Sequence, residues 1–378
     1  MKGYITRQLK IGKTEQLDSL VHESGDIYTQ TVVTFWRVVR HNRHWLSEYV
    51  MKRLIRNNAL HSQTVQGIIE TFYESMDSWR MLRKTNTNAR PPRRRRWYHA
   101  IPYKDSAIKL DNGMLRLSNG KGNDPIIVPW HWDKPKFCEI SFNGEEYIIN
   151  ATYAIEAQDK IIGDDTAGID LGEIHTAVVA TGNCVLIANG RILRSKRRYQ
   201  NKVKAHFQRK MDKCKKHSRK WIQVNKAKNR VLRKLNNQIN DILHKQTTTV
   251  VRAIITDGVR TVGIGDLREL RQNVNYGNKA NQRIHQMPCG KTRQMLTYKS
   301  QRVGLTVKLI DESYTSRTCP KCGNLHKAST RNYKCPVCGL RYQRDGIGAV
   351  NIRQKTMYQG LVPVVGEMAP PVGISYTA

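Results

Sequence analysis

The sequence predicts an α/β unit in the second half of the chain, preceded by a small β unit that a helical module interrupts. Three observations predict it. Apolar residues recur at helical spacing from about Thr14 to Lys84. Short β patterns separated by Asn-Gly turns fill residues 97–155. Strand-like segments near 167–180, 261–264 and 303–310 then flank a long polar helical stretch at 194–245.

In chain order, residues 1–12 read as a strand, with Tyr4, Ile5, Thr6, Leu9 and Ile11 among basic neighbours. Leu17, Leu20 and Val21, then Ile68, Ile69, Phe72, Met76 and Trp79, form helical stripes. The run Thr85-Asn-Thr-Asn-Ala-Arg-Pro-Pro92 ends the helical pattern. Asn112-Gly113, Asn119-Gly120 and Asn143-Gly144 mark hairpin turns, so a small antiparallel barrel or sheet is expected, completed by the first strand. The expected division is a barrel at 1–12 and 90–160, a helical module at 13–89, an α/β domain at 165–356 and a mobile tail at 357–378. Val303, Leu305, Val307 and Leu309 alternate, which argues a strand with one buried face.

Charge narrows the function. Sixty-five Lys and Arg against 30 Asp and Glu leave +35, which excludes an acidic solvating chain and a typical metabolite enzyme. Such an excess repels itself unless a polyanion is near, so nucleic acid is the default partner. A membrane surface is the weaker alternative, because no basic amphipathic helix with a wide apolar face stands out. From Arg194 to Asn236 there are 18 Lys and Arg against one acid, Asp212, too one-sided for a plain solvated face. Arg197, Arg198, Lys215, Lys216 and Lys220 are candidate phosphate contacts in that stretch. Arg93, Arg94, Arg95 and Arg96 precede Trp97, a pairing of charge with a ring on which a base can stack.

The first residues lack the apolar core of an export signal, and no apolar run approaches membrane-spanning length, so an intracellular chain is expected. Its eight cysteines are then thiols or metal ligands. Cys138, Cys184, Cys214 and Cys289 are scattered and read as ordinary thiols. Cys319-Pro-Lys-Cys322 and Cys335-Pro-Val-Cys338 are two knuckles twelve residues apart, each followed by glycine. Four thiolates at this spacing fit a closed, structural, tetrahedral Zn²⁺. A redox dithiol needs one such pair rather than two. His326, between the knuckles, reads as a surface or nucleic-acid contact.

Two carboxylates sit in glycine-rich settings: Asp170 in Gly168-Ile-Asp-Leu-Gly172 and Asp345 in Arg344-Asp-Gly-Ile-Gly-Ala349. The small residues Gly346, Gly348 and Ala349 would let a helix start pack close to a sheet. Taken singly each motif is weak, since an Asp at a helix start is usually a cap. Their order is more specific: strand with Asp, basic helical insertion, two strands, cysteine ribbon, Arg-Asp. Gly168–Gly172, Val262–Leu267, Tyr314–Gly323, Cys335–Gly339 and Arg344–Ile352 together resemble the RuvC-type nuclease domain of the TnpB proteins, their Fanzor relatives and the miniature type V CRISPR effectors. The resemblance is strong over 165–356 and rests on architecture alone over 1–160.

The resemblance implies an RNase H-like nuclease domain with a zinc-ribbon insertion at 315–343, a wedge-like barrel and a recognition module. It also implies Mg²⁺ at the nuclease site, a guide RNA, and double-stranded target DNA with a short flanking motif. Monomer is the favoured state. The location would be cytoplasmic and nucleoid-associated in a prokaryote, or nuclear in a eukaryote or a virus. One position departs from the family. The usual middle-strand Glu would fall at Gly265, in Thr261-Val-Gly-Ile-Gly-Asp-Leu267. Three readings follow: Glu312 replaces it, as in some Fanzor-like branches; Asp266 substitutes, although strand alternation turns it away; or the site is dead. On the first reading Asp170, Glu312 and Asp345 are both catalytic residues and Mg²⁺ ligands, and the chain is an RNA-guided DNA endonuclease. On the last it is a nuclease-dead, RNA-guided regulator. A transposition accessory protein with nonspecific nucleic-acid binding is a third possibility.

Overall fold

The computed structural model describes residues 2–95, 98–156, 163–267, 275, 277–361 and 368–374, in two compact units that divide between Ile155 and Glu156. The first unit opens with β1 (Lys2–Ile11), then α1 (Glu15–Asn42), α2 (Glu48–Leu54) and α3 (Ser62–Thr85). Thr14 caps α1, its hydroxyl accepting from Leu17 N at 3.2 Å, with Glu15 and Asp18 in the first turn. The stripe Ile68, Ile69, Phe72 and Met76 is buried as its spacing requires.

The strands β2 (Ile101–Lys104), β3 (Ile108–Asp111), β4 (Met114–Leu117), β5 (Ile126–Pro129), β6 (Phe137–Phe142) and β7 (Tyr147–Glu156) follow. Asn112 and Gly113 both take positive φ, the turn that closes the β3–β4 hairpin. The strands form two sheets, β1-β7-β6-β2 and β3-β4-β5, in place of a single barrel. A helical turn at Asp105–Ala107 breaks the path between β2 and β3, so β3 starts a separate sheet. Both sheets share one apolar core with the helices.

The second unit is built on a mixed six-stranded sheet. Its strands are β8 (Asp165–Asp170), β9 (His175–Ala180), β10 (Val185–Asn189), β11 (Val259–Gly265), β12 (Thr306–Ile310) and β15 (Pro371–Ile374). The order is β12-β11-β8-β9-β10-β15, with β8, β9 and β10 antiparallel and β11 and β12 added in parallel beside β8. Between β10 and β11 lie two basic helices, α4 (Arg191–Asp212) and α5 (Arg219–Thr256). Between β11 and β12 lie α6 (Asn278–Gln286) and α7 (Cys289–Arg302). The small hairpin β13 (Asn332–Lys334) and β14 (Arg341–Gln343) leads into α8 (Arg344–Tyr358).

Strand alternation splits the sheet into two faces. Ala167, Ile169, Val262 and Ile264 pack with Val250, Ile254 and Leu296 of α5 and α7. Val178, Ala180 and Val185 pack with Ala349 and Val350 of α8. Gly168 and Gly263 open the second face to close approach: a β-carbon on Gly168 would lie 2.3 Å from Ala349 O, and one on Gly263 1.8 Å from Thr356 Oγ1.

Two expectations change. The alternation from Val303 does not mark a strand start. Val303 ends α7 and Gly304 turns at φ 85°, so β12 begins at Thr306, and as an edge strand it leaves Leu309 48% exposed. The tail expected to be mobile from 357 instead contributes Tyr358 to α8 and β15 to the sheet, in parallel register with β10. Apolar pairing explains this, because Met368 packs in two clusters and the Tyr342 hydroxyl donates to Ala369 O. Residues 362–367 and 375–378 of that tail lie outside the described residues.

Candidate active site and metal centre

The cysteine ribbon is two copies of one turn. Gly323 N donates to Cys319 O and Cys319 N to Asn324 O; Gly339 N donates to Cys335 O and Cys335 N to Leu340 O. Gly323 and Gly339 take φ of 73° and 70°, which the turn demands and a side chain resists. The four sulfurs then lie within 4.8 Å of one another, with Cys319–Cys338 and Cys322–Cys335 at 3.5 Å. Thiolates about 2.3 Å from one tetrahedral ion are separated by a little under 4 Å, so the donor set fits a metal. Burial would raise the Cys335 thiol, but the backbone N–H groups of Cys338 and Val337 bring it down to about 6. His326 stays outside the sulfur cluster; its N–H donates to Arg317 O and its ring meets Tyr333 edge-on.

The carboxylates converge from three elements. Asp170 ends β8, two residues beyond Gly168, and therefore on the α8 face. Asp345 sits in the first turn of α8. A β-carbon on Gly348 would lie 2.5 Å from Asp170 Oδ2, so the small residues at this helix start give the Asp170 carboxylate its room. Glu312 follows β12 by two residues. It fills the space beside the glycine where a strand carboxylate was expected: a β-carbon on Gly265 would lie 1.8 Å from Glu312 Oε1. That Oε1 is buried without a hydrogen-bond partner. Asp266, next to Gly265, is held instead by Arg293 of α7 at 2.5 Å.

Electrostatics couples the three. Burial, then the negative charges of Glu312 and Asp345, push Asp170 well above the usual 3.8. Burial, then Asp266 and Asp311, push Glu312 up to about 7. Burial acts the same way on Asp345, but the hydrogen bond from His175 and the charges of Arg331 and Arg344 outweigh it and hold Asp345 below the usual range. His175 Nδ1 lies 2.8 Å from Asp345 Oδ2, and Arg331, from the ribbon, donates to the same oxygen. Two buried carboxylates pushed upward by burial and by neighbouring negative charges, a third held charged beside them, and an orphaned buried oxygen are a donor set suited to hard divalent cations. Among the described residues, though, the cysteines are the only set of three or more such ligands with all atoms within 4.8 Å. The carboxylates are more widely spread than that.

His175 was not singled out from the sequence, and Arg331 was read only as one of the basic residues by which the ribbon touches phosphate, whereas it donates to Asp345. His175 lies only five residues beyond Asp170, but nothing local signals that it faces a helix 170 positions away.

The basic candidates fall in two places. Arg197 and Arg198 lie on α4, Lys215 and Lys216 in the turn after it, and Lys220 in the first turn of α5. Of the 22 residues of α4, Leu193 and Met211 are buried, so this charged helix is largely open to solvent. Arg191, Arg194, Arg197, Arg198 and Arg283 line a cavity of about 660 Å³ beside Gly172 and Glu173. A second, of about 450 Å³, shares Arg197 and Met287 with it and reaches Leu171 and Gly265. In the first unit Arg93, Arg94 and Arg95 are exposed, and Arg95 lies over the Tyr28 ring at 5.7 Å. Arg96 and Trp97 lie outside the described residues.

The second unit thus joins a mixed sheet, with Asp170 at the end of one strand and Glu312 just past another, to a helix that Asp345 opens after a cysteine ribbon. The family model described as "Probable transposase" (OrfB_IS605) matches residues 151–271, and "Cas12f1-like, TNB domain" matches residues 290–352. A TnpB-like protein of Methanocaldococcus jannaschii, MJ1635, is 26% identical over 80% of this chain and 72% of that protein. The CRISPR-associated endodeoxyribonuclease Cas12f1 of Sulfoacidibacillus thermotolerans is 28% identical over 29% of this chain and 25% of its own length. A Cas12f1 chain solved in complex with sgRNA and target DNA shares the fold, with a TM-score of 0.58 at 13% identity over 89% of this chain and 81% of that one. The chain is TnpB-like and similar to the miniature type V effectors. Among the described residues no helix is long and apolar enough to cross a membrane.

Proposed function

We propose that this chain is an RNA-guided DNA endonuclease whose nuclease site is formed by Asp170, Glu312 and Asp345. The observation that carries the reading is the exchange at Gly265: the Glu312 carboxylate occupies the space a side chain there would take, so a third carboxylate joins Asp170 and Asp345. Asp170, Glu312 and Asp345 would hold Mg²⁺, which supplies an activated water and charge neutralisation at the phosphate. His175 and Arg331 orient the Asp345 carboxylate, and Gly168 and Gly348 keep the strand end open to a close approach. The exposed arginines and lysines of α4 and α5 would take the backbone of a guide–target duplex, whose sequence is read by base pairing. The four cysteines would hold a structural Zn²⁺. The first unit, with its two sheets, its helices and Arg93–Arg95, would contact the flanking DNA motif.

The test is Mg²⁺-dependent cleavage of a matched plasmid by the complex purified with its co-expressed RNA. Asp170→Asn, Glu312→Gln and Asp345→Asn should each lower cleavage by roughly 1,000-fold or more, with guide and target binding unchanged, because each removes charge stabilisation at the reacting phosphate. A parent complex that binds target tightly and never cuts would make the chain a regulator instead.

A further inference from the structure

Glu312 stands in a loop, and a metal-holding carboxylate in a loop needs something to replace the rigidity of a strand. That support comes from α8. Lys355 Nζ donates to Asp311 O at 2.9 Å and to Ser313 O at 2.8 Å, the two carbonyls that flank Glu312. One turn back on the same helix face, Asn351 Nδ2 donates to Thr315 O at 2.7 Å and to Thr318 O at 2.8 Å. Asn351 is fully buried and lies mid-helix, where asparagine is a poor helix former; its side chain leaves its own helix to hold the loop.

The loop is also tied within itself. Thr315 N and Oγ1 donate to Glu312 O, and Arg317 N, Thr318 N and Thr318 Oγ1 donate to Tyr314 O. Tyr314 takes a left-handed φ of 65°, a conformation that costs about 1 kcal/mol or more for a residue with a side chain. Such strain persists where the surroundings over-determine the backbone. The helix that carries Asp345 thus also sets the position of Glu312.

We propose that Asn351 and Lys355 are positioning residues for Glu312, clamping its loop to α8 so that a loop carboxylate can take the place of one on β11. The inference rests on the reading of Glu312 given under Proposed function. Its test is calorimetric titration of Mn²⁺ into the full-length chain with its RNA, with thermal stability and zinc content measured on the same samples. Lys355→Met keeps the stem and removes the donor. It should weaken Mn²⁺ binding roughly 10-fold, the size typical of losing a partner that orients a metal ligand. Lys355→Arg, which keeps a cationic donor, should recover most of that. Asn351→Ala should weaken binding in the same direction. In a Glu312→Gln background, Lys355→Met should have no further effect, since its route to the metal is gone. Equal weakening in both backgrounds, or none in the parent, removes the clamp and leaves Glu312 in place. Parent-like Mn²⁺ affinity in Glu312→Gln alone removes the reading of Glu312 and the clamp with it.

Discussion

The cysteine ribbon and the carboxylate site adjoin in the chain but are assembled by opposite means. The ribbon draws its ligands from one segment of 20 residues, Cys319–Cys338, and each half is a tight turn closed by its own backbone hydrogen bonds. The carboxylates come from positions 170, 312 and 345 and meet only because the sheet order sets β11 and β12 beside β8 and lays α8 across their glycines. A local site tolerates change elsewhere in the fold. A site made by topology depends on every contact that brings its elements together.

The largest effect should come from joining the two. Arg331 lies in the ribbon and Asp345 two residues after β14, so loss of the ribbon should reach the carboxylate site. Cys335→Ser should release the metal, destabilise the second unit and abolish cleavage, because metal binding there is folding free energy. Elemental analysis beside thermal melting checks it. A variant that lacks zinc yet cuts at the parent rate would show the two regions to be independent.

Next in size is Gly265→Ala. The added methyl meets Glu312 Oε1 at 1.8 Å and must displace it, so cleavage should fall roughly 10- to 100-fold with little change in melting temperature. Gly263→Ala is the contrast: its methyl meets Thr356 of α8 at 1.8 Å, so stability should suffer more than the Gly265 variant does. The pair separates carboxylate placement from helix packing. If the two variants melt and cut alike, Gly265 has no special tie to Glu312.

The pH dependence should set the site apart from the rest of the fold. Glu312 rises from 4.5 to about 7 in the folded state, and Asp170 moves the same way. In that interval the folded protein holds protons the unfolded chain has lost, so this contribution to stability falls as pH rises from about 4.5 to about 7. Asp345 shifts downward, so its contribution is lost only below the ordinary 3.8. Divalent cations compete with the protons on Glu312 and Asp170. Stabilisation by Mg²⁺ should therefore grow with pH up to about 7 and then level off, as read by melting temperature with and without Mg²⁺. A flat Mg²⁺ effect between pH 5 and roughly pH 8 would detach the carboxylates from metal binding.

The same contrast explains what the sequence made legible. The knuckles, the helical stripe of α3 and the basic helices could be read because their signals are periodic or local. The role of Gly265 was open on the sequence, because a glycine says only that a side chain is missing, not whose carboxylate fills the space. The contacts made by His175, Arg331 and Asn351 were not visible, since each acts across 14 to 170 positions, although Arg331 was read as a ribbon cation and Asn351 lies in the quoted Arg344–Ile352 motif. The two sheets of the first unit were read as one barrel because alternation specifies faces but not which strands pair. The edge strand β15 escaped notice because four residues without strong periodicity join a sheet only through their neighbours.

The smallest expected effect falls on the residue that the family's motif would make most suspect. Asp266 occupies the Asp of the strand-end Gly-Asp-Leu and is one position from where the usual Glu would stand. Gly265 faces α8 and Glu312, while Asp266 N donates to Ile310 O and its carboxylate pairs with Arg293 on the α7 side. Asp266→Asn keeps the shape and an acceptor oxygen while removing one charge. The half-buried ion pair with Arg293 would weaken by about 1 kcal/mol, a shift of a few degrees in melting temperature. Cleavage should stay within a few-fold of the parent. It should even gain slightly at low pH, because among the neighbouring charges Asp266 raises Glu312 most, and its loss makes Glu312 easier to ionise. Asp266→Asn that abolishes cleavage while Glu312→Gln leaves it intact would reverse the assignment and put the third carboxylate back at the end of the strand.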